Sequence, residues 1–230
     1  MKLSKFTVFT VLGFLACNAY AEDNNQHLLS STWMKDRLYM SIFGGAGAFT
    51  SGNITQSGTA LYADPLSVNA QGSASTSSVG VVGGNIGYKW LNLFPQSKDA
   101  SWTVIPSTEL EGYYFQGTLD GNITNPTTRL DLHTFSTSYP MNNGVFLVNA
   151  GLNFNHENSP IHPYIGGGIG AAIVSIDGAT STQTAPAEPG INHYNSNPND
   201  SDWTFAAQAK AGLRYNISEK VGLFIEYRFL

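Results

Sequence analysis

Cysteine is nearly absent from the chain, which has Cys17 alone among 230 residues. Charged residues make up only 12%, and the formal net charge is −5. A lone cysteine excludes a disulfide within the chain, and an acidic protein is a poor partner for the phosphate backbone of nucleic acid. Beyond the N-terminus there is also no apolar run near the roughly 20 residues that a membrane-spanning helix needs.

The N-terminus carries the pattern of a secretory signal. A basic start leads into the apolar run Phe6–Ala16, and Ala19-Tyr20-Ala21 then precedes two acidic residues. A short apolar core before an A-x-A site predicts a signal peptide over residues 1–21, whose removal would leave the mature chain without a thiol. The alternative is lipoprotein processing at Cys17, for which the preceding Phe and Leu are unfavourable.

Alternation with a period of two residues recurs from Leu38 to the end of the chain, and helical periodicity is almost absent. The clearest example is Val221–Phe229, in which apolar residues occupy every second position while Glu226 and Arg228 share the opposite face. Such segments are separated by connections rich in Gly, Ser, Thr, Asn and Pro. The pattern predicts one all-β domain.

Four of these segments are long for strands of a water-soluble protein. They are Ser77–Leu91, Trp102–Gln116, Ile161–Ile176 and Trp203–Asn216. Each exceeds the roughly 5 to 6 residues of a typical globular strand and the roughly 9 to 11 with which a tilted strand crosses a bilayer. Aromatic residues gather near their ends, as in the girdles of membrane barrels. A soluble β-sandwich shares the alternation, but strand length and aromatic placement favour a transmembrane antiparallel β-barrel.

Charged residues of three segments fall on the faces opposite the apolar ones. In a membrane barrel these faces point inward, where acids and bases of different strands can pair. The predicted structural charge cluster of the lumen consists of Glu109, Glu111, Lys210, Arg214, Glu226 and Arg228. Because about eight strands leave a bore that side chains fill, we expect the cluster to plug the barrel. A narrow ion-conducting channel is the alternative.

Several stretches resemble a known family, namely Pro163–Gly170, Glu109–Tyr114, and Ala211–Tyr215 leading to Glu226–Phe229. They are similar to the opacity-protein-like surface antigens, a branch of the small eight-stranded outer-membrane barrels of Gram-negative bacteria. The resemblance covers most of the chain after the predicted signal peptide. It implies surface exposure, antigenicity and often adhesion, and it implies no catalytic residues.

On this interpretation residues 22–36 are a periplasmic N-terminal segment and residues 37–230 form the barrel. The implied partners are outer-membrane lipid, the barrel assembly machinery and ligands on a host surface. We expect binding in the long loops, because loops on a rigid barrel usually carry it. These loops are Thr50–Thr76, Gly117–Phe135 and Asp177–Asp202.

Two strand counts are compatible with the sequence. If Ser136–Phe154 is one strand, the count is seven and the last strand ends on the side of the long loops. If the chain turns at Tyr139–Gly144, where Pro, Asn and Gly favour a turn, the count is eight. In the resembling family the Glu-x-Arg-aromatic strand is usually the penultimate one. We therefore expect a barrel of the eight-stranded type that lacks its closing strand.

No catalytic apparatus is evident, and we predict that the chain is not an enzyme. The weaker alternative is lipid A modification by His133 with Ser136 or Ser138. The histidines lack the spacing of metal ligands, so we expect neither a metal nor another cofactor. They are His27, His133, His156, His162 and His193.

Overall fold

The computed structural model describes residues 8–17, 37–50, 52–60, 66–91, 93–94, 101–125, 132–193, 197–218 and 221–230, and eleven β-strands occur in them. The strands are β1 Val8–Cys17, β2 Leu38–Phe49, β3 Asn53–Ala60, β4 Leu66–Ala74, β5 Ser77–Lys89, β6 Trp102–Asn125, β7 His133–His156, β8 Ile161–Ile176, β9 Thr180–Ala185, β10 Asp200–Asn216 and β11 Val221–Phe229. Within these ranges no helix has the length and apolarity to cross a membrane. The all-β prediction is confirmed.

Eight of the strands pair edge to edge in a ring. Their order is β1, β2, β5, β6, β7, β8, β10 and β11, and β11 pairs with β1 to complete it. Every pairing is antiparallel. A ring lets each wall strand satisfy its backbone hydrogen-bonding groups on both sides. The architecture is therefore an antiparallel β-barrel of the eight-stranded type.

The eighth place in the ring is taken by a segment of the predicted signal peptide. β1 pairs with β11 over nine residue pairs and with β2 over four, from Val8 to Val11. Residues 37–230 therefore contribute seven wall strands. Residues 1–7 and 18–36, which hold the rest of the predicted signal peptide and the predicted periplasmic segment, lie outside the described residues. Cleavage of the signal peptide stays a prediction.

The four long strands that the sequence predicts are confirmed by β5, β6, β8 and β10. β6 and β7 are longer still, with 24 residues each. They pair along their whole length, from Trp102 opposite His156 to Asn125 opposite His133. The two strands therefore form one hairpin that reaches well beyond the rest of the wall.

Of the two alternatives for this region, the single strand over Ser136–Phe154 is confirmed and the turn at Tyr139–Gly144 is wrong, because β7 runs straight through it. Tyr139 and Met141 alternate inward there, and burial of that face outweighs the local turn chemistry. Pro140 removes at most one hydrogen bond of the sheet, just beyond the end of β8. Its carbonyl accepts the N–H of Asp177 at 3.1 Å, so its missing N–H faces the same side, at the break between β8 and β9.

The predicted long loops Thr50–Thr76 and Gly117–Phe135 are largely strand, which corrects that prediction, and Asp177–Asp202 contains the short strand β9. β3 and β4 form a hairpin, β4 pairs with the end of β6, and β9 pairs with the start of β7. Together with the outer parts of β6 and β7, these strands are termed the head sheet, in the order β3, β4, β6, β7, β9. Its two edges meet where Ser181 Oγ donates a hydrogen bond to Gln56 Oε1 at 3.2 Å. These connections become strands because they pair with segments that are distant in the sequence, which no connection could do by itself.

The barrel interior changes character along its length. The end at which β5 joins β6, β7 joins β8 and β10 joins β11 is termed the short-turn end, and its inward side chains are mostly charged or polar. Toward the head sheet the inward side chains become apolar. The largest fully buried apolar side chains there are Phe49, Ile54, Leu119, Ile123, Tyr139 and Val145. The hydrophobic core of the fold thus lies inside the barrel at its head end.

Candidate functional site

Large apolar side chains cover the outside of the barrel wall. Phe205 is 72% exposed, and Ile42 and Leu110 are each 67% exposed. Further exposed apolar residues of the wall are Met40, Val82, Ile86, Phe146, Val148, Ile165, Ile169, Leu213 and Ile225. Contiguous exposed apolar surface marks a region that contacts something other than water. This set is termed the apolar belt.

Aromatic side chains edge the belt at the short-turn end. Tyr88 and Trp90 stack edge to face with ring centroids 4.8 Å apart, and Trp102 contacts the ring of His156 at 5.0 Å. Trp90 and Trp102 are exposed. Rings with an apolar body and a polar edge prefer the boundary between lipid and water.

Inside the wall, five of the six predicted lumen charges form one network. Lys210 Nζ donates hydrogen bonds to Glu109 and, at 3.1 Å, to Glu111 Oε2, and it lies 3.9 Å from Glu226 Oε2. The side chains of Lys210 and Glu111 are 3% and 0% exposed. At such burial a charge is tolerated only when it is paired and hydrogen-bonded, so each member depends on the others.

Arg228 connects opposite sides of the network. β11 and β6 stand four places apart in the ring of eight strands, on opposite walls. From β11, Arg228 donates hydrogen bonds to Glu111 on β6 and to Glu226 on its own strand. Its guanidinium carbon lies 3.8 Å from the centroid of the Phe43 ring. The ion pairs therefore span the bore.

Neutral polar side chains complete the network, and they are absent from the sequence-based prediction. Gln208 Nε2 donates hydrogen bonds to Glu111 Oε1 at 3.0 Å and to Asn149 Oδ1 at 2.8 Å. Asn149 Nδ2 donates to Glu111 Oε2 at 3.2 Å, and the Tyr39 hydroxyl donates to Glu109 Oε1 at 2.5 Å. Alternation along β10 is a signal that could have found Gln208, whereas Asn149 required the course of β7 to be known.

Arg214, the sixth predicted residue, lies apart from this network. Its guanidinium carbon is 5.6 Å from the ring centroid of Tyr39 and 5.4 Å from that of Tyr164. Each ring lies against a glycine, since a Cβ on Gly87 would overlap Tyr39 and a Cβ on Gly212 would overlap Tyr164. Glycine at these two positions lets the rings approach the backbone closely.

Toward the head end the network gives way to packed rings. The centroids of Phe43 and Tyr113 are 6.2 Å apart, and those of Tyr113 and Phe115 are 6.3 Å apart. Phe115 in turn contacts Phe49, with centroids at 6.0 Å, within the hydrophobic core. The interior is thus occupied first by charges and then by apolar side chains, an arrangement suited to holding opposite walls together.

The candidate hydrolytic residues are not brought together by β7. Alternation along the strand places His133 on one face and Ser136 and Ser138 on the other. Ser138 Oγ instead donates a hydrogen bond to Asp120 Oδ1 at 2.6 Å. Among the residues whose positions are described, no group of three or more His, Cys, Asp or Glu side chains could hold a metal ion.

Part of the chain matches a known family. Residues 139–230, from within β7 onward, match the family model described as a surface antigen. No curated protein matches the chain. The matched region contains Lys210, Glu226 and Arg228, which contribute both cations and one acid of the interior network. The match supports a surface antigen family for this part of the chain and a location at the cell surface or outer membrane.

Proposed function

We propose that the protein is a β-barrel of the Gram-negative outer membrane that displays its head sheet at the cell surface, as an antigen or adhesin. The observation that supports this proposal best is that the wall has apolar side chains outside and charged side chains inside. Leu110 is 67% exposed, while the side chain of the next residue, Glu111, is fully buried. In water, this arrangement would leave apolar area unburied and still desolvate charge, and both are unfavourable. In a bilayer the apolar belt contacts lipid and the charges pair inside.

Outer-membrane lipid is therefore the first proposed partner. β8 and β10 have 16 and 17 residues, more than the roughly 9 to 11 with which a tilted strand crosses a bilayer. Export through the predicted signal peptide and insertion by the barrel assembly machinery follow from the same proposal. Cleavage after Ala21 would remove β1 and leave seven wall strands with open edges at β2 and β11. The usual orientation of such barrels puts the short-turn end in the periplasm and the head sheet outside.

The head sheet is the proposed binding part. Buried Ile54, Leu119 and Ile123 hold its strands together, while polar side chains bond on its outer faces, as Ser57 Oγ does with Asn69 Oδ1 at 2.8 Å. A surface that is already ordered loses less conformational entropy when it binds than a flexible loop does. Ordered polar strands suit recognition of a protein or glycan on another cell.

Thiol labelling of intact cells tests this orientation, because Cys17 is the only cysteine. In a Cys17→Ser background, Asn69→Cys places a thiol on β4 of the head sheet. The matched variant Asn158→Cys places one in the turn between β7 and β8, and both asparagines are exposed. A membrane-impermeant maleimide should label Asn69→Cys on intact cells, and Asn158→Cys only after the outer membrane is permeabilised. Labelling of Asn158→Cys on intact cells, or recovery of the protein in the soluble fraction, would refute the proposal.

Adhesion itself needs a separate measurement. Replacing residues 53–74, the β3–β4 hairpin, by a short turn removes one side of the head sheet and leaves the wall strands in place. If the head sheet is an adhesive surface, cells that carry this variant should bind host cells less than cells with the unaltered protein. If both kinds of cell bind host cells equally while they display equal amounts of protein, the adhesin role is refuted and the antigen role still stands.

A further inference from the structure

Basic side chains gather inside the short-turn end of the barrel, apart from the interior ion pairs. Lys89 is the last residue of β5, and Arg214 lies near the end of β10. Arg214 pairs across the sheet with His162 on β8. Side chains two residues apart on a strand share a face, so Lys89 points to the same side as Gly87, the inner side on which Tyr39 lies. Three strands thus bring an ammonium, a guanidinium and an imidazole group to one end of the bore.

The ring of Tyr39 stands close to both cations. Lys89 Nζ is 5.5 Å from its centroid, and Arg214 Cζ is 5.6 Å from the same centroid. A ring at this range attracts a cation through its quadrupole, but it carries no net charge. The two positive charges are therefore not neutralised by the ring that they share.

The three interior acids make their direct ion pairs with Lys210 and Arg228. Glu109, whose carboxylate accepts the Tyr39 hydroxyl, is paired with Lys210. Among the described residues, neither Lys89 nor Arg214 has a carboxylate within salt-bridge distance. The three basic side chains are half-buried, and a cluster of like charges without a direct ion pair is stabilised when an anion joins it.

Two nitrogen atoms of the cluster lack a hydrogen-bond partner in the described part of the chain. They are Arg214 Nε and His162 Nδ1, and both are buried. A buried polar group left without a hydrogen-bond partner destabilises the fold. Positive charge and an open donor therefore coincide at one place, which is the requirement for binding an oxyanion.

We infer that Lys89, Arg214 and His162 form a binding site for a small oxyanion of the phosphate class. Two fixed positive charges favour a dianion over a single carboxylate, and a guanidinium matches the spacing of phosphate oxygens. The donors lie on the inner side of the wall, which a dissolved ion reaches more readily than a lipid headgroup does. The ligand is therefore free phosphate. The inference uses only the interior geometry and does not depend on surface display.

Isothermal titration calorimetry of the folded full-length chain in a zwitterionic detergent tests the site. The ligand is sodium phosphate, and sodium chloride at equal ionic strength is the blank. We expect saturable binding at one site, weakened on the order of tenfold by Arg214→Gln and by Lys89→Gln. Arg37→Gln is the matched control. Arg37 lies opposite Lys89, but its Nη1 donates to the hydroxyl of Tyr88 at 3.1 Å, and Tyr88 is on the strand face opposite Gly87. Its loss should therefore weaken phosphate binding much less than the loss of Lys89 or Arg214.

Folding of each variant is checked by heat-modifiable gel mobility. If Arg214→Gln does not fold, Arg214→Lys keeps the charge, loses the guanidinium fork, and should bind phosphate more weakly than the unaltered chain. Absence of saturable binding by the unaltered chain, or an equal loss in Arg37→Gln, would overturn the site. A second titration uses micelles that contain phosphatidylglycerol. Binding of this lipid without binding of inorganic phosphate would overturn the assignment of a free ion.

Discussion

Arg228 on β11 and Glu111 on β6 form a buried ion pair across the full width of the barrel, although 117 positions separate them in the chain. Each of these residues is also bonded to other members of the network, Glu226 for Arg228 and Lys210 for Glu111. Because neither charge is solvated, the pair fixes the distance between opposite walls. Two strands that are neighbours in the wall could not make such a contact across the bore.

Replacing Arg228 by Met should destabilise the barrel by about 3–5 kcal/mol, since Glu111 and Glu226 then lose a cation while they remain buried. The measurement is the urea midpoint of the folded, heat-modifiable form in detergent. The double variant Arg228→Met with Glu111→Gln should recover part of the loss, because the orphaned charge is removed as well. Arg37→Met, at the rim, is the control with little expected effect. A single variant as stable as the unaltered chain would contradict the structural role of the pair.

Arginine in place of Leu110 should destabilise the protein in lipid vesicles by about 2–4 kcal/mol, because the belt position faces hydrocarbon. Leu132, which is 65% exposed immediately before β7, provides the matched substitution at the head end. Leu132→Arg should leave the unfolding midpoint almost unchanged, since that position faces water. Equal effects at the two positions would contradict a membrane location for the belt.

The unaltered protein should give no steady conductance in planar lipid bilayers. Ion pairs fill the bore near the short-turn end, and buried side chains such as Phe49, Leu119 and Tyr139 fill it toward the head sheet. About eight strands leave no more room than such side chains occupy. Single-channel recording of the folded monomer is the measurement. Stable current steps at low protein concentration would favour the channel alternative instead.

Alanine at Gly87 should destabilise the fold by about 1–3 kcal/mol, because the new methyl group overlaps the Tyr39 ring, which must move from its place beside Glu109. Gly144 is the matched control, with no atom within 4 Å of a Cβ placed there. Its replacement by alanine should change the stability by less than about 0.5 kcal/mol. Urea midpoints of the two variants provide the comparison. A Gly87→Ala variant as stable as Gly144→Ala would show that the ring can move without cost.

The wall strands were the most predictable part of the fold. Ile161–Ile176 has the predicted bounds, and the face that Lys210 shares with Gln208 can be worked out from β10 alone. The course of the chain through Tyr139–Gly144 could not be worked out in this way. Its residues suit a turn, and only pairing with β6 along the whole of β7 keeps the segment extended.

The charged residues show the same division. The sequence places Arg214 on the inward face together with Lys210, but it contains nothing to separate the two. In the structure Lys210 joins three acids, while Arg214 lies beside Tyr39 and Tyr164. The sequence analysis did not include Lys89 among the interior charges, because the residue beside which it lies, Tyr39, is on another strand. Height along the barrel depends on strand register, which is a long-range property.

The sequence by itself determined the all-β class and the polarity of the faces, because period-two alternation is a local property of each strand. Only the tertiary structure decided which inward charges meet, since Arg228 and Glu111 come from opposite walls. It also decided that the connections form a head sheet and that Val8–Cys17 lies between β2 and β11. The physical reason is that backbone pairing can satisfy any extended segment, so the choice of partner follows from register and closure of the whole ring.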